Sequence, residues 1–245
     1  MHFYVGLHTP SHAARFPRSM VSLNRLRTRR ADFRANRWIL DSGAFTEVSR
    51  HRAHRTTPET YAESIRRWAR CGTLETAVTQ DWMCEPFILE RTGLSVADHQ
   101  RLTLEGYDRL RALAAPHLIM PVLQGYRPVE YAAHVRAYGP RLALGAWVGV
   151  GSVCKRNAHV GEVEAVLLEI HAVRPDLRLH GFGLKTTALR SGLVRSLLWS
   201  SDSMAWSFAA RYEGRNANHW SEAARYVTTV AEAPVRDCSL WEGVS

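Results

Sequence analysis

Lysine is almost missing from this 245-residue chain: only Lys155 and Lys185 occur, so nearly all the positive charge is arginine. Cysteine is sparse as well. The four cysteines, at 71, 84, 154 and 238, include no C-x-x-C pair, which argues against a structural zinc site. Met1-His2-Phe3-Tyr4-Val5 enters a strand-like run at once, so no secretory leader is expected, and a disulfide framework is improbable in a chain this long without one. Reduced thiols in a cytoplasmic protein are therefore expected, with Cys84 and Cys154 falling just past strand ends. No run of about 18 apolar residues exists, so no membrane partner is expected. Acidic residues are outnumbered 23 to 32, giving a formal net charge of +9.

What is present fills in the outline. Apolar residues make up 46% of the chain, enough for a sizeable core. Arg25, Arg27, Arg29, Arg30, Arg34 and Arg37 crowd one short segment. A field of this sign draws in polyanions, and the planar guanidinium fork grips phosphate in a way that lysine cannot. The alternative is a compositional habit of the source genome that favours arginine over lysine.

Strand-like and helix-like segments alternate along the chain. Candidate strands are His2–Leu7, Met20–Leu23, Trp38–Asp41, Thr76–Asp81, Leu118–Gln124, Leu142–Val148, Leu177–Leu184 and Leu197–Asp202. Helical spacing marks the segments Pro58 to Cys71, Val96 to Ala115, Val160 to Val173 and Tyr212 to Glu232, and Pro58 and Pro128 stand where helices start. Eight alternating units predict an α/β fold, a single (β/α)8 barrel of TIM type spanning residues 1–245, with an irregular first connection.

In such a barrel the loops after the strands form the reactive face. The residues at the predicted strand ends are Asp41, Asp81, Gln124, Gly145-Ala146, Gly181-Gly183-Lys185 and Asp202. Two acids on strand ends, Asp41 and Asp202, are the minimum equipment for glycosyl transfer, one attacking carbon and the other moving protons. Asp81 and Gln124 make a reader for a purine edge. Guanine offers two adjacent donors that a carboxylate accepts, and its O6 accepts from an amide. The competing structural roles are an Asx-turn for Asp41, helix caps for Asp81 and Asp202, and a satisfied buried amide for Gln124. His8 and His12 have the wrong spacing for a His-x-His metal motif and read as loop histidines. Gly149-Val150-Gly151 lacks the third glycine of a dinucleotide turn.

These strand ends resemble the tRNA-guanine transglycosylase superfamily in order and wording. Asp41-Ser42-Gly43-Ala44-Phe45 is similar to its Asp-Ser-Gly-Gly-Phe segment, and Asp81 in Thr79-Gln80-Asp81-Trp82-Met83 resembles its base-reading Asp. Leu123-Gln124-Gly125 resembles its Val-Gln-Gly, Gly145-Ala146-Trp147 its Gly-Gly-Leu turn, and Asp202 its nucleophile. Within the superfamily the likeness is closest to the DNA-modifying branch, the deazapurine DNA modification (DpdA) proteins. Ser201-Asp202-Ser203-Met204-Ala205-Trp206 and Arg215-Asn216-Ala217-Asn218-His219-Trp220 carry it, and no cysteine between 154 and 238 could form the zinc cluster of the tRNA enzymes. Ala44 and Ala146 depart from the tRNA-enzyme pattern, as does Thr46-Glu47 after Phe45.

The resemblance implies a barrel without the zinc-binding region, and exchange of guanine in DNA for a 7-deazaguanine base such as 7-cyano-7-deazaguanine. Asp202 would form a covalent ester with deoxyribose and Asp41 would handle the proton. Base exchange is nearly isoenergetic, so neither metal nor cofactor is expected. Asp81, Gln124, Gly125, Gly145, Ala146, Trp147, Ser42, Gly43, Phe45 and Lys185 would bind the base. Arg190, Arg211, Arg215, Lys155 and Arg156 would hold DNA phosphates. The rivals are the same exchange on tRNA, a DNA glycosylase or nucleoside hydrolase in which water replaces the incoming base, and a catalytically silent nucleic-acid-binding barrel.

Overall fold

A computed structural model describes residues 1–156 and 158–235; Cys238 lies outside the described residues. Its parallel strands are β1 (His2–Leu7), β2 (Arg18–Ser22), β3 (Arg37–Asp41), β4 (Thr73–Val78), β5 (Ile119–Met120), β6 (Val122–Leu123), β7 (Trp147–Val150), β8 (Arg178–Gly181) and β9 (Leu198–Ser203). They form one sheet in the order β5-β4-β3-β2-β1-β9-β8-β7-β6. The two ends of that order, β5 and β6, are consecutive in the chain and parted by Pro121 alone. One strand therefore pairs with β4 through its first half and with β7 through its second. The nine segments thus make an eight-walled barrel of the expected TIM type.

Pro121 has no N–H to give and interrupts the ladder. Helix α5 (Pro128–Tyr138) repairs the interruption. The Tyr138 hydroxyl accepts from Val122 N–H at 3.2 Å and donates to Val122 C=O at 3.0 Å. His134 Nδ1 accepts from Gln124 N–H at 2.9 Å. Two side chains thus satisfy the buried backbone groups that a neighbouring strand would otherwise take.

The helices are α1 (Ala44–His51), α2 (Pro58–Ala69), α3 (Pro86–Thr92), α4 (Val96–Leu113), α5 (Pro128–Tyr138), α6 (Val160–Val173), α7 (Thr186–Leu189), α8 (Gly192–Leu197), α9 (Ala205–Tyr212) and α10 (Trp220–Glu232). Local chemistry sets their starts. Pro58 and Pro128 occupy first turns; Thr57 caps α2, and Ser95 with Asp98 forms a capping box on α4. The connections β1–β2 and β2–β3 carry only short 3-10 turns. Phe16, Leu26 and Phe33 are buried there, and α10 packs against β1.

Side chains alternate across each strand. Val5, Leu7, Val21, Trp38 and Leu40 face outwards into the core beneath the helices. Tyr4, Met20, Ile39, Val78, Met120 and Val122 fill the barrel's interior, with Trp147 and Phe182 packed against them.

Two expectations need correction. The strand predicted at Leu142–Val148 begins only at Trp147 and runs to Val150. Leu142-Ala143-Leu144 is apolar but follows a turn at Gly139–Arg141, and Leu144 is 88% exposed. Gly145 sits at φ +66, its N–H bonded to Asp176 Oδ2 at 2.9 Å, and Arg178 Nε donates to its carbonyl at 2.8 Å. That polar brace holds the segment as a turn. The helix predicted over Tyr212–Glu232 is instead two, α9 and α10, broken by a turn with Gly214 at φ +70.

Tyr138→Phe strips both Val122 backbone groups of their partner in a buried site. It is expected to cost about 1–3 kcal/mol, measured by denaturant unfolding; an unchanged midpoint would show that the seam does not need the hydroxyl.

Candidate active site

Strand alternation builds the site. Inward-facing Tyr4, Met20, Ile39, Val122 and Ser200 are followed two residues on by Gly6, Ser22, Asp41, Gln124 and Asp202. All five of the latter line one pocket at the C-terminal ends of the strands. It holds about 750 Å³ counted to its open mouth, and Asp81, Glu85, Ser152, Phe45, Phe182 and Met204 complete much of its wall. The barrel's apolar interior is its floor.

Asp202 is held from behind. Gly183 N–H donates to its Oδ1 at 2.9 Å, and His180 Nε2 lies 3.4 Å from the same oxygen. His180 is fully buried. Its Nδ1 sits 2.8 Å from Ser200 Oγ, which also accepts from Trp147 Nε1–H at 2.8 Å. Indole can only donate. An ionised Asp202 can only accept, which places a hydrogen on His180 Nε2; in that tautomer Nδ1 accepts from the Ser200 hydroxyl. Both contacts fall on Oδ1, so Oδ2 is the oxygen available to the pocket.

Burial pushes the Asp41 carboxyl up, and the negative charge of Asp202 adds to that push; the Ser22 hydroxyl and Gly43 N–H oppose it. Gly43 caps α1 at φ +77, and a Cβ there would strike the Asn24 side chain. Only glycine lets the chain turn from Asp41 straight into that helix.

Asp81 lies beyond β4 on a segment anchored on several sides. Gln80 Nε2 donates to Thr56 C=O at 2.7 Å, His54 Nε2 contacts Asp81 C=O at 3.0 Å, and Trp82 N–H donates to Thr103 Oγ1 at 2.9 Å. Its carboxylate accepts from Gln124 Nε2. Burial pushes Asp81 up to about 7, assisted by the charges of Asp41 and Glu85 and opposed by the Gln124 hydrogen bond. Ser152 Oγ lies 2.8 Å from both Gln124 Oε1 and Glu85 Oε2. A Cβ on Gly151 would displace the Gln124 amide.

Several expected site residues come together here: Asp41, Asp81, Gln124, Asp202 and Phe45 line the pocket, and Gly43 supports Asp41. Ser42 and Gly125 are buried nearby without lining it, Gly125 packing on Tyr131 of α5. Gly145, Ala146 and Trp147 do not belong. Because β7 starts at Trp147, they stand at the opposite end of the barrel, around a cavity shared with Glu75, Arg111, Arg141 and Arg178. The end of β7 is Gly151-Ser152, and that is what reaches the pocket.

The cations divide as well. Lys155 lies 5.4 Å from the ring of Phe45 at the mouth, and Lys185 lies 5.9 Å from the ring of Phe208. Arg190 ends α7, while His8 is lowered to about 4 by burial and then by the charges of Arg25 and of Arg211 on α9. His8 bonds Arg25 at 2.8 Å and Ser207 at 2.7 Å. Arg156 is buried, stacked 4.3 Å from the Tyr126 ring and bonded to the Ser152 and Tyr126 carbonyls. It braces the pocket wall and does not present a free fork. Arg215 is engaged by Glu213 at 2.6 Å and Glu222 at 2.7 Å.

Sequence reasoning missed Glu85, Ser152, His180 and Met204. Starting β7 at Trp147 exposes the alternation Gly149, Gly151, and with it the neighbouring Ser152. Cys84 is buried beside that serine, and Cys154 lines the pocket. Among the described residues, no group of three or more His, Cys, Asp or Glu could hold a metal ion.

A family model described as DpdA, DeoxyPurine in DNA protein A, matches residues 1–230. No curated protein matches the chain.

Asp81 binds its proton more tightly folded than unfolded, so its burial opposes folding increasingly as pH climbs from about 4 to about 7. Asp81→Asn keeps an acceptor for Gln124 and removes the charge. It is expected to be more stable than wild type by on the order of 2 kcal/mol at about pH 8 and equal to it at about pH 4. Denaturant unfolding at the two pH values checks this, and equal stability at both would place Asp81 in a solvated setting.

Proposed function

Since the chain belongs to the DpdA family, we propose that it exchanges guanine in DNA for a 7-deazaguanine base through a covalent Asp202–deoxyribose ester. The observation that carries this reading is the gathering of two pairs in one pocket, Asp41 with Asp202 and Asp81 with Gln124.

In the first displacement Asp202 Oδ2 attacks C1′, the C1′–N9 bond breaks, and its electron pair leaves on guanine N9, which takes a proton from Asp41. Burial keeps that proton on Asp41 long enough to be given. In the second, Asp41 removes the N9 proton of the incoming deazaguanine. N9 then forms the bond to C1′ and Asp202 departs as carboxylate. Two inversions retain the sugar's configuration. His180 and Gly183 hold Oδ1 throughout, so the attacking oxygen has a fixed bearing on C1′.

The base must leave its stack to reach a barrel mouth. Phe45, Phe87, Phe208 and Tyr212 are exposed, and Phe45 lines the pocket with Phe87 6.3 Å away, ring to ring. With Lys155 beside Phe45 and Lys185 beside Phe208, the rim pairs aromatic faces with cations. That combination suits unstacked bases and the phosphates between them.

Wild-type protein is expected to form a denaturation-resistant adduct with guanine-containing DNA, resolved when deazaguanine is added. Asp202→Asn should lower adduct and exchange by roughly 10³-fold or more with its unfolding midpoint within about 1 kcal/mol of wild type. Substantial turnover in that variant would move the nucleophile elsewhere. Abasic DNA in place of incorporated deazaguanine would identify water as the acceptor.

A further inference from the structure

Four side chains in the base-reading wall form one unbranched hydrogen-bonded chain: Asp81, Gln124, Ser152 and Glu85. All are withdrawn from solvent, at 7%, 0%, 4% and 2% exposure. The hydrogens on this chain can be counted. Ser152 Oγ already accepts from Cys84 N–H at 2.8 Å. A hydroxyl has one proton and two lone pairs, so one lone pair and one proton remain for Gln124 and Glu85. One of those neighbours must accept and the other must donate.

With the Gln124 amide oxygen towards Ser152, the serine donates to it, and Glu85 at 2.8 Å must carry a proton and donate to the serine. Gln124 Nε2 then donates to an ionised Asp81. With the amide reversed, its NH2 donates to Ser152, the serine donates to an ionised Glu85, and Asp81 must be protonated to meet the amide oxygen. Either orientation requires one proton on the two carboxyls.

We propose that Asp81 and Glu85 share one proton across this chain, and that Glu85 holds it whenever the wall is set to read guanine. This rests on the proposed function. Only when Glu85 is the acid does Asp81 offer a full carboxylate to the N1–H and exocyclic amine of guanine, with the second Gln124 N–H left for O6. With the proton on Asp81 the amide shows its oxygen to that side and the pattern is lost. The two settings differ by rotation of one amide and movement of one proton from Asp81 to Glu85, carried by pocket water, with no net uptake. A guanine-type base therefore selects its own reader, and Glu85 acts as a positioning residue for Gln124.

The charged surroundings fit this sharing. Asp41, Tyr61 and Tyr138 face Asp81; Lys155, Arg156, Cys84, Cys154 and Tyr131 face Glu85. Burial raises both carboxyls, so the first proton is taken up readily, and their mutual repulsion favours keeping it. Ionisation then belongs to the pair.

The test is isotope-edited NMR of the aspartate and glutamate side-chain carboxyl carbons in the full chain, with Glu85→Gln and Ser152→Ala as companions. Near neutral pH the Glu85 carbon is expected to report a protonated acid in fast exchange with Asp81, shifting further towards the acid on saturation with free guanine. Glu85→Gln supplies a permanent donor to Ser152 and removes one neighbouring charge, so Asp81 should then give up its proton at lower pH than in wild type while burial still holds it above the usual carboxylate range. Ser152→Ala cuts the link and should let the two carbons titrate independently. Guanine affinity should fall about tenfold per pH unit once the shared proton is lost in wild type, and stay level in Glu85→Gln. Two ionised carboxylates near neutral pH in wild type, or an unchanged affinity profile in Glu85→Gln, would overturn the proposal. Failure to bind guanine at any pH would count against the base-exchange function and leave the titration result to judge the shared proton by itself.

Discussion

Desolvation of carboxyl groups is the constraint on which the rest of this structure depends. Asp41, Asp81, Glu85 and Asp202 line one pocket over a floor of Tyr4, Met20, Ile39, Val78, Met120 and Val122. Buried charge of one sign opposes folding unless each group is hydrogen-bonded or neutralised. The fold answers with fixed partners: donors from Ser22 and Gly43 for Asp41, from Gln124 for Asp81 and from Gly183 with His180 for Asp202, and the Ser152 hydroxyl against Glu85. The same burial that costs stability raises Asp41 and brings Asp81 up to about 7, where its proton exchanges near neutral pH. Stability is given up where chemistry is gained.

The closure of the barrel serves that pocket. Pro121 lets a single strand end one side of the sheet and begin the other. α5 then bonds the loosened backbone through Tyr138 and His134, and the His134 bond falls on the N–H of Gln124 itself. Gln100 Nε2 bonds the Gln124 carbonyl at 2.7 Å from the other direction. The backbone that carries the base-reading amide is therefore fixed by helix contacts at the seam, and Gly151 leaves the space that the amide occupies.

Much of this was legible in the sequence because the barrel repeats a simple rule. The uninterrupted run Trp38-Ile39-Leu40 into Asp41 and the run Leu197-Leu198-Trp199 into Asp202 placed the two acids, and the DpdA resemblance stated from their neighbourhoods agrees with the family match. Leu142-Ala143-Leu144 misled because hydropathy is the same in a strand and in an apolar turn; what decides is the tertiary brace from Arg178 and Asp176. Glu85, Ser152 and His180 carry no local signature, since each acquires its role from a partner more than 20 residues away. The arginines show the same limit. Arg156 and Arg215 look like their neighbours in sequence, and only Tyr126, Glu213 and Glu222 remove them from the phosphate-binding set.

The central claim is that the base exchanged belongs to DNA. Nucleosides from both DNA and tRNA of cells expressing this chain, supplied with 7-cyano-7-deazaguanine and unable to modify nucleic acid otherwise, can be separated by mass spectrometry. The account predicts deazaguanosine in its deoxy form in the DNA digest and tRNA at background. Modified tRNA beside unmodified DNA would contradict it.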